Sequence, residues 1–377
     1  MPDAAFLYSE ALSRFDFGDD HPFKPVRAKN TMELCNRYGL LYARNVIRPE
    51  VIPAAPGLLE LFHTPEYLEI LKRASRGEHD LEMLAAGIGT PDCPVLQGIY
   101  DFCLLVAEAT MTCVELVHAD VVGRAFNLIG GLHHAGTDHA EGFCYINDVG
   151  IAIASLIARG ARVAYVDIDA HHGNGVQDRF IAEDRVLTIS LHESGDGFYP
   201  GTGLETEIGE GRGRGFTVNV PLARKTDDEV YGYAFDQIVP PLLNAYRPDI
   251  VVAQLGADTL ISDPLTHLRL TSNGYEAAVK GLCACSQRLV ATGGGGYDIF
   301  RTANCWTLAF AAMCGLEPED DYLGLVGGAM YGRVVGGLRD PEILTQGEEK
   351  DAAWHQARRV VRYLQETVFP ILGAGKP

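Results

Sequence analysis

Six short runs rich in valine, isoleucine and leucine recur along the chain, at 125–129, 163–168, 186–191, 216–220, 250–255 and 289–292. Runs this apolar suit strands covered on both faces. Helical stretches lie between them, at 148–159, 227–246 and 272–286, and two more, 66–73 and 99–119, precede the first run. Strand and helix in alternation predict an α/β fold with a central, mostly parallel sheet flanked by helices. No internal repeat and no Pro/Ser-rich linker divides the sequence. A single domain over 1–377 is therefore expected, with residues 316–377, including a helix at 352–366, packed on the main body. Two loops, 75–98 and 194–215, are long for such a fold, and loops of that length tend to be functional or disordered. The second holds Phe198 and Tyr199 among glycines, which suits the rim of a pocket.

What ends each run carries the chemistry. The first leads into Gly130-Gly131-Leu132-His133-His134, the second into Asp169-Ala170-His171-His172, and the third into His192. The fifth leads into Gly256-Ala257-Asp258 and the last into four glycines and Tyr297. In open parallel sheets, sites form beyond the carboxyl ends of the strands. Asp169 and His171 lie two residues apart on an extended segment, so both side chains point the same way. With Asp258 they offer an O/N/O donor set suited to Zn²⁺ or Fe²⁺, and three donors leave a position open, as in catalytic sites. His133 and His134 are then free to move protons, with Asp167 placed to bond one ring and Asn174 the other. Tyr297 offers a phenol for a developing oxyanion. The four glycines lack the Lys-Ser/Thr of a P-loop and the spacing of a dinucleotide fingerprint.

Composition narrows the partners. With 31 Lys+Arg against 50 Asp+Glu the net charge is −19. Nucleic-acid affinity rests on phosphate neutralisation, and the densest basic stretch, Arg212-Gly213-Arg214, reads as a solvated turn, so no nucleic-acid partner is expected. An acidic protein favours cationic ligands. Nine cysteines, with no Cys-x-x-Cys pair, read as free thiols in a reducing cytoplasm. No signal peptide and no uninterrupted apolar run of about 18 residues is found, so no membrane association is expected.

The segments HHAGTDHAEGFCYIND, VAYVDIDAHHGNGVQDRF, SLHESGDGFYPGTG, VAQLGADTLISDPL and GGGGYDIFRTANCWT resemble, in order and spacing, the zinc-dependent histone deacetylase family. The resemblance spans about His21 to Gly315 and is strongest toward class I enzymes and the bacterial acetoin-utilisation type. It implies the arginase–deacetylase fold, one zinc per chain, and hydrolysis of acetyl or other short acyl groups from lysine in proteins or peptides. It implies Asp169, His171 and Asp258 as zinc ligands, and His134 as general base and then acid. His133, oriented by Asp167, becomes its electrostatic partner, and Tyr297 the residue that polarises the carbonyl. Gly142 and Phe143 match one tunnel wall and Tyr199 the facing wall; Asp92 matches a rim carboxylate and Leu265 an apolar rim residue. It implies one structural potassium site from Asp167, Asp169, His171, Ser190 and Leu191, and another from Phe180, Glu183, Val186 and Phe216.

Two departures stand out. Asn174 replaces the Asp of many class I members, so the partner of His134 carries no charge. Tyr199 replaces the usual Phe and adds a hydroxyl to the tunnel. Three rival readings are weighed against the deacylase. An arginase-type two-metal site needs Asp where this chain has Gly173 and Leu260. A deacetylase of acetylated polyamines suits the acidity, but Leu265 supplies no gatekeeper Glu. A dead binding scaffold would have lost a ligand, a His or the Tyr, and all are present.

Overall fold

The computed structural model describes residues 3–52, 57–195, 197–318 and 337–376. The six apolar runs become strands β3 (Arg124–Asn127), β4 (Val163–Asp167), β5 (Val186–Glu193), β6 (Thr217–Leu222), β7 (Ile250–Gln254) and β8 (Leu289–Thr292). Two more, β1 (Ala4–Leu7) and β2 (Val46–Ile47), extend one edge. The eight lie in the order β2-β1-β3-β8-β7-β4-β5-β6, and every neighbouring pair is parallel. The expected "mostly parallel" sheet is thus parallel throughout, as the arginase–deacetylase fold requires. Strands β4 to β8 are buried along their whole length; β4, β7 and β8 accordingly lack alternation, whereas β5 and β6 bury polar side chains such as Thr188, Ser190 and Asn219 between their apolar ones. β1 escaped sequence reading because Ala-Ala-Phe-Leu carries no β-branched residue, and β2 because it is two residues long.

Helices Asp148–Ala158, Asp228–Tyr246, Ser272–Cys285, Pro65–Ser75 and Ile99–His118 fall where the sequence places them. Among helices of seven residues or more, three do not announce themselves. Val26–Arg37 is largely polar and buries only Arg27, Ala28, Thr31 and Cys35. Ile299–Cys314 is buried on nearly all sides and so shows no polar face. Asn174–Phe180 spans only two turns. The loop 75–98 contains a short helix, Leu81–Ala85, capped by the Asp80 carboxylate. The loop 194–215 holds one 3₁₀ turn, Gly211–Gly213.

Beyond the undescribed 319–336 the chain returns as the helix Gly347–Thr367, longer than the expected 352–366. It packs on Asp228–Tyr246 and on β6. Its Lys350 ammonium lies 2.6 Å from the buried carboxylate of Asp227, the residue that caps Asp228–Tyr246. Among the described residues no helix is long and apolar enough to cross a membrane.

The topology has one consequence for chemistry. Because all strands run the same way, all their carboxyl ends share one edge. Sheet order places β7 beside β4, with Gln254 paired to Asp167, and β8 beside both β7 and β3. Segments far apart in the chain therefore leave the sheet side by side.

Candidate active site

Asp169 and His171 follow β4, and Asp258 follows β7. Their donor atoms lie within 4.8 Å of one another, and all three residues are buried. His171 Nδ1 stands 2.8 Å from Asp258 Oδ2 and 3.2 Å from Asp169 Oδ1. The remaining oxygens are held in place. Asp169 Oδ2 accepts from Gln254 Nε2 and from the Gly295 amide, each at 2.7 Å, and Asp258 Oδ1 accepts from the Ala170 amide at 2.7 Å. A Cβ at Gly295 would meet Asp258 Oδ2 at 2.2 Å, so only glycine lets the backbone come this close. Burial opposes a charge on His171, yet the Asp169 and Asp258 carboxylates push its pKa up to about 10. Two buried carboxylates thus demand a positive charge at the centre. A divalent cation meets that demand, and the hard oxygens with one imidazole suit zinc or iron(II).

The tandem histidines enter from the loop after β3. The buried Asp148 carboxylate accepts from the Gly131 and Leu132 amides, and the Asn147 side chain donates to the His133 and Ala135 carbonyls. That clamp aims both rings inward. His133 Nδ1 lies 2.7 Å from Asp167 Oδ2, and His134 Nδ1 lies 2.7 Å from Asn174 Oδ1. The two Nε2 atoms are 3.1 Å apart. Burial disfavours a charge on both rings. On His133 the Asp167 and Asp169 carboxylates outweigh burial and raise the pKa. On His134 no carboxylate is in contact, and burial together with the neighbouring imidazoles lowers it well below the ordinary value.

Tyr297 lines a narrow internal cavity together with His133, His134, Asp169 and Phe143. Its amide donates to Asp263 Oδ2 at 2.8 Å, and the next residue, Asp298, caps Ile299–Cys314. Burial first, then the Asp258 and Asp169 charges, hold its phenol far above the usual range, so it stays a proton donor. Behind the glycines the buried Arg27 guanidinium donates to the Gly296 carbonyl at 2.7 Å and to Gly294, and stacks over Phe23 and Trp306.

Of the residues matched to the tunnel and its rim, Gly142 and Phe143 line this cavity. Phe143 meets Tyr297 edge to face at 5.8 Å, and Tyr199 meets His134 edge to face at 5.0 Å. Phe198 stacks on His171 at 5.1 Å. A Cβ at Gly142 would strike the His134 ring at 2.6 Å and the Tyr199 hydroxyl at 2.7 Å. Asp92 is exposed, and its carbonyl stands 3.1 Å from His21 Nε2, whose ring packs on Phe143. Leu265 is exposed, and its amide bonds Asp263, the same carboxylate that holds Tyr297.

Other expectations fall away from this cluster. His192 lies within β5, bonded to Ser190 Oγ and the Gly203 carbonyl, and joins neither the donor set nor the histidine pair. Ser190 pairs in register with Asp167. Leu191 follows it in β5, one residue short of His192. Phe180, Glu183, Val186 and Phe216 gather near the start of β5, where the Glu183 carboxylate is taken up by Arg185. Sequence reasoning missed Gln254, Arg27, Asp263, Glu141 and the Asn147-Asp148 clamp. The GFCYIND segment held the only local signal, an Asn-Asp pair ahead of a helix.

The histone deacetylase domain profile matches residues 21–313. Histone deacetylase 8 of Xenopus tropicalis is 40% identical over 293 residues, 77% of this chain and 79% of that protein. Histone deacetylase 9 of Arabidopsis thaliana is 38% identical over 327 residues, 85% of this chain and 76% of that protein. A probable histone deacetylase 19 of Zea mays is 39% identical over 318 residues, 84% of this chain and 61% of that protein. These relatives are eukaryotic, so the finer likeness to bacterial acetoin-utilisation enzymes gains no support from them. With its donor triad, tandem histidines and tyrosine all inside the matched segment, the chain belongs to the histone deacetylase family.

Proposed function

We propose that the protein is a metal-dependent amidohydrolase that removes acetyl or other short acyl groups from the ε-amino group of lysine. The observation that carries this reading is the buried Asp169/His171/Asp258 triad, whose Asp169 lines one narrow cavity together with the histidine pair and Tyr297. Asp169, His171 and Asp258 would hold zinc or iron(II), which would supply Lewis acidity to the acyl carbonyl and a more acidic water near neutral pH. The chain does the rest. Phe143 and Tyr199 cover the lysine methylenes, each buried CH₂ contributing about 0.8 kcal/mol. His134, neutral because burial lowers its pKa, takes the proton of the attacking water and later delivers it to the amine nitrogen. His133, kept charged by Asp167, stabilises the negative charge that builds nearby. Tyr297 donates a hydrogen bond to the oxyanion. Asp92 grips the substrate backbone at the rim, beside the apolar Leu265.

Two structural potassium ions, near Asp167, Asp169, His171, Ser190 and Leu191 and near Phe180, Glu183, Val186 and Phe216, belong to the same proposal. So do a single domain over 1–377 and a cytoplasmic setting, which suits nine unpaired cysteines. A second reading, hydrolysis of acetylated polyamines, draws on the net charge of −19. Metal analysis and a panel of acetyl-lysine, lactyl-lysine and acetylspermidine substrates on one sample decide between them. One metal per chain with peptide hydrolysis is expected; hydrolysis of acetylspermidine alone would transfer the assignment.

A further inference from the structure

Asn174 reaches beyond His134. Its Nδ2 donates to Glu141 Oε2 at 2.9 Å while its Oδ1 faces His134 Nδ1 at 2.7 Å. Glu141 is itself well placed. It opens a tight turn closed by two hydrogen bonds with Cys144, and the central residues Gly142 and Phe143, the tunnel wall, both have positive φ (53° and 68°). Its carboxylate also lies 3.7 Å from His139 Nε2, which holds it ionised.

An asparagine amide has two nearly isosteric ends. Turned one way, Oδ1 accepts from His134 Nδ1–H, and His134 Nε2 keeps its lone pair, beside His133 Nε2 at 3.1 Å. Turned the other way, Nδ2 donates to His134 Nδ1, the ring proton moves to Nε2, and the ring can no longer accept a proton there. A carboxylate at position 174 has no such ambiguity. An amide needs something to orient it, and an ionised Glu141, which can only accept, takes Nδ2 and leaves Oδ1 for the histidine.

We propose that Glu141 is a positioning residue that fixes the Asn174 amide and, through it, the His134 tautomer competent to accept a proton. The proposal rests on the reading of His134 as the proton carrier.

The test compares wild type, Glu141→Met, the isosteric Glu141→Gln and the double variant Glu141→Met/Asn174→Asp, all metal-loaded. It reads kcat and KM on an acetyl-lysine peptide, metal content, and the His134 ring nitrogen shifts by NMR. A complete tautomer error in a proton-transferring histidine costs up to about 10⁴-fold, and a mixed population is expected to lower kcat about tenfold. Glu141→Met should show that loss with KM changed less than about twofold, metal retained and an Nε2–H form of His134 appearing. Glu141→Gln, able to accept or donate, should move the same way. Restoring a direct carboxylate with Asn174→Asp should bring the double variant back to within about twofold of wild type, which repair of a merely structural defect would not do. Unchanged kcat and His134 shifts in both single variants, or a double variant as slow as Glu141→Met, would overturn the proposal. If wild type hydrolyses no acyl-lysine peptide, the parent reading fails, while the His134 shifts still decide the role of Glu141.

Discussion

His133-His134 turns both rings toward the cavity, whereas His171-His172 turns one ring toward the Asp169 and Asp258 carboxylates and the other away. His172 bonds Thr202 Oγ1 at 2.8 Å and Gln177 Oε1 at 3.0 Å and packs on His192. Within each pair one ring meets carboxylates and the other meets neutral oxygens. His133 and His171, beside Asp167, Asp169 and Asp258, are raised. His134 and His172 are lowered by burial that no adjacent carboxylate offsets. Burial is common to all four, so the partner atom sets the charge of each ring. The tandem motif alone does not say which histidine binds, which moves a proton and which is structural.

The sharpest way to break this comparison is to remove the ring at the cluster. His171→Ala should take the metal from one per chain to nearly none and abolish turnover, by about 10³-fold or more, because two buried carboxylates lose their shared nitrogen. Elemental analysis beside the assay reads both. His134→Ala should lower kcat by about 10²–10⁴-fold with metal still bound. A variant that also lost metal would place that ring among the ligands. Tyr297→Phe should cost about 10²–10³-fold under the same conditions.

His172→Gln tests the other half. Metal content and kcat should stay near wild type, while stability in urea drops by about 1–3 kcal/mol as buried partners lose their bonds. The smallest effect is acid sensitivity. His63, whose Nε2 accepts from the Asn147 amide, is pushed down to about 4 by burial, as is His192. Between pH 6.5 and 4 the unfolded chain binds protons that the folded chain refuses, so stability is lost as pH falls through that window. Each site should cost on the order of 1–2 kcal/mol near pH 5. His63→Gln should flatten the dependence of the urea midpoint on pH between 7 and 5; an unchanged slope would show that His63 is protonated in the fold.

Six of the eight strands were readable because strands buried on both faces are rich in apolar residues, and reactive groups at or near their ends interrupt the run abruptly. The same break exposed Asp169, His171, Asp258, His133, His134 and Tyr297. It also promoted His192, which ends its apolar run in the sequence but lies inside β5, one strand further from the β4–β7 junction. Arg27 was invisible because its helix is largely polar and its partners are the carbonyls of Gly296 and Gly294, 269 and 267 residues away along the chain. Glu141 was passed over inside the HHAGTDHAEGFCYIND segment because an acidic residue next to a glycine reads as solvated.

By itself the amino-acid sequence determined the class of fold, the residue types delivered to one sheet edge and their family. Local covalent spacing and burial suffice for that. Which of those residues meet was decided by the non-sequential strand order that sets β7 against β4, and by long-range hydrogen bonds from Gln254, Asp148, Asn174 and Glu141. Such bonds depend on directions and distances between segments far apart in the chain. Only the packed molecule specifies them, and through them the charge and tautomer of each histidine.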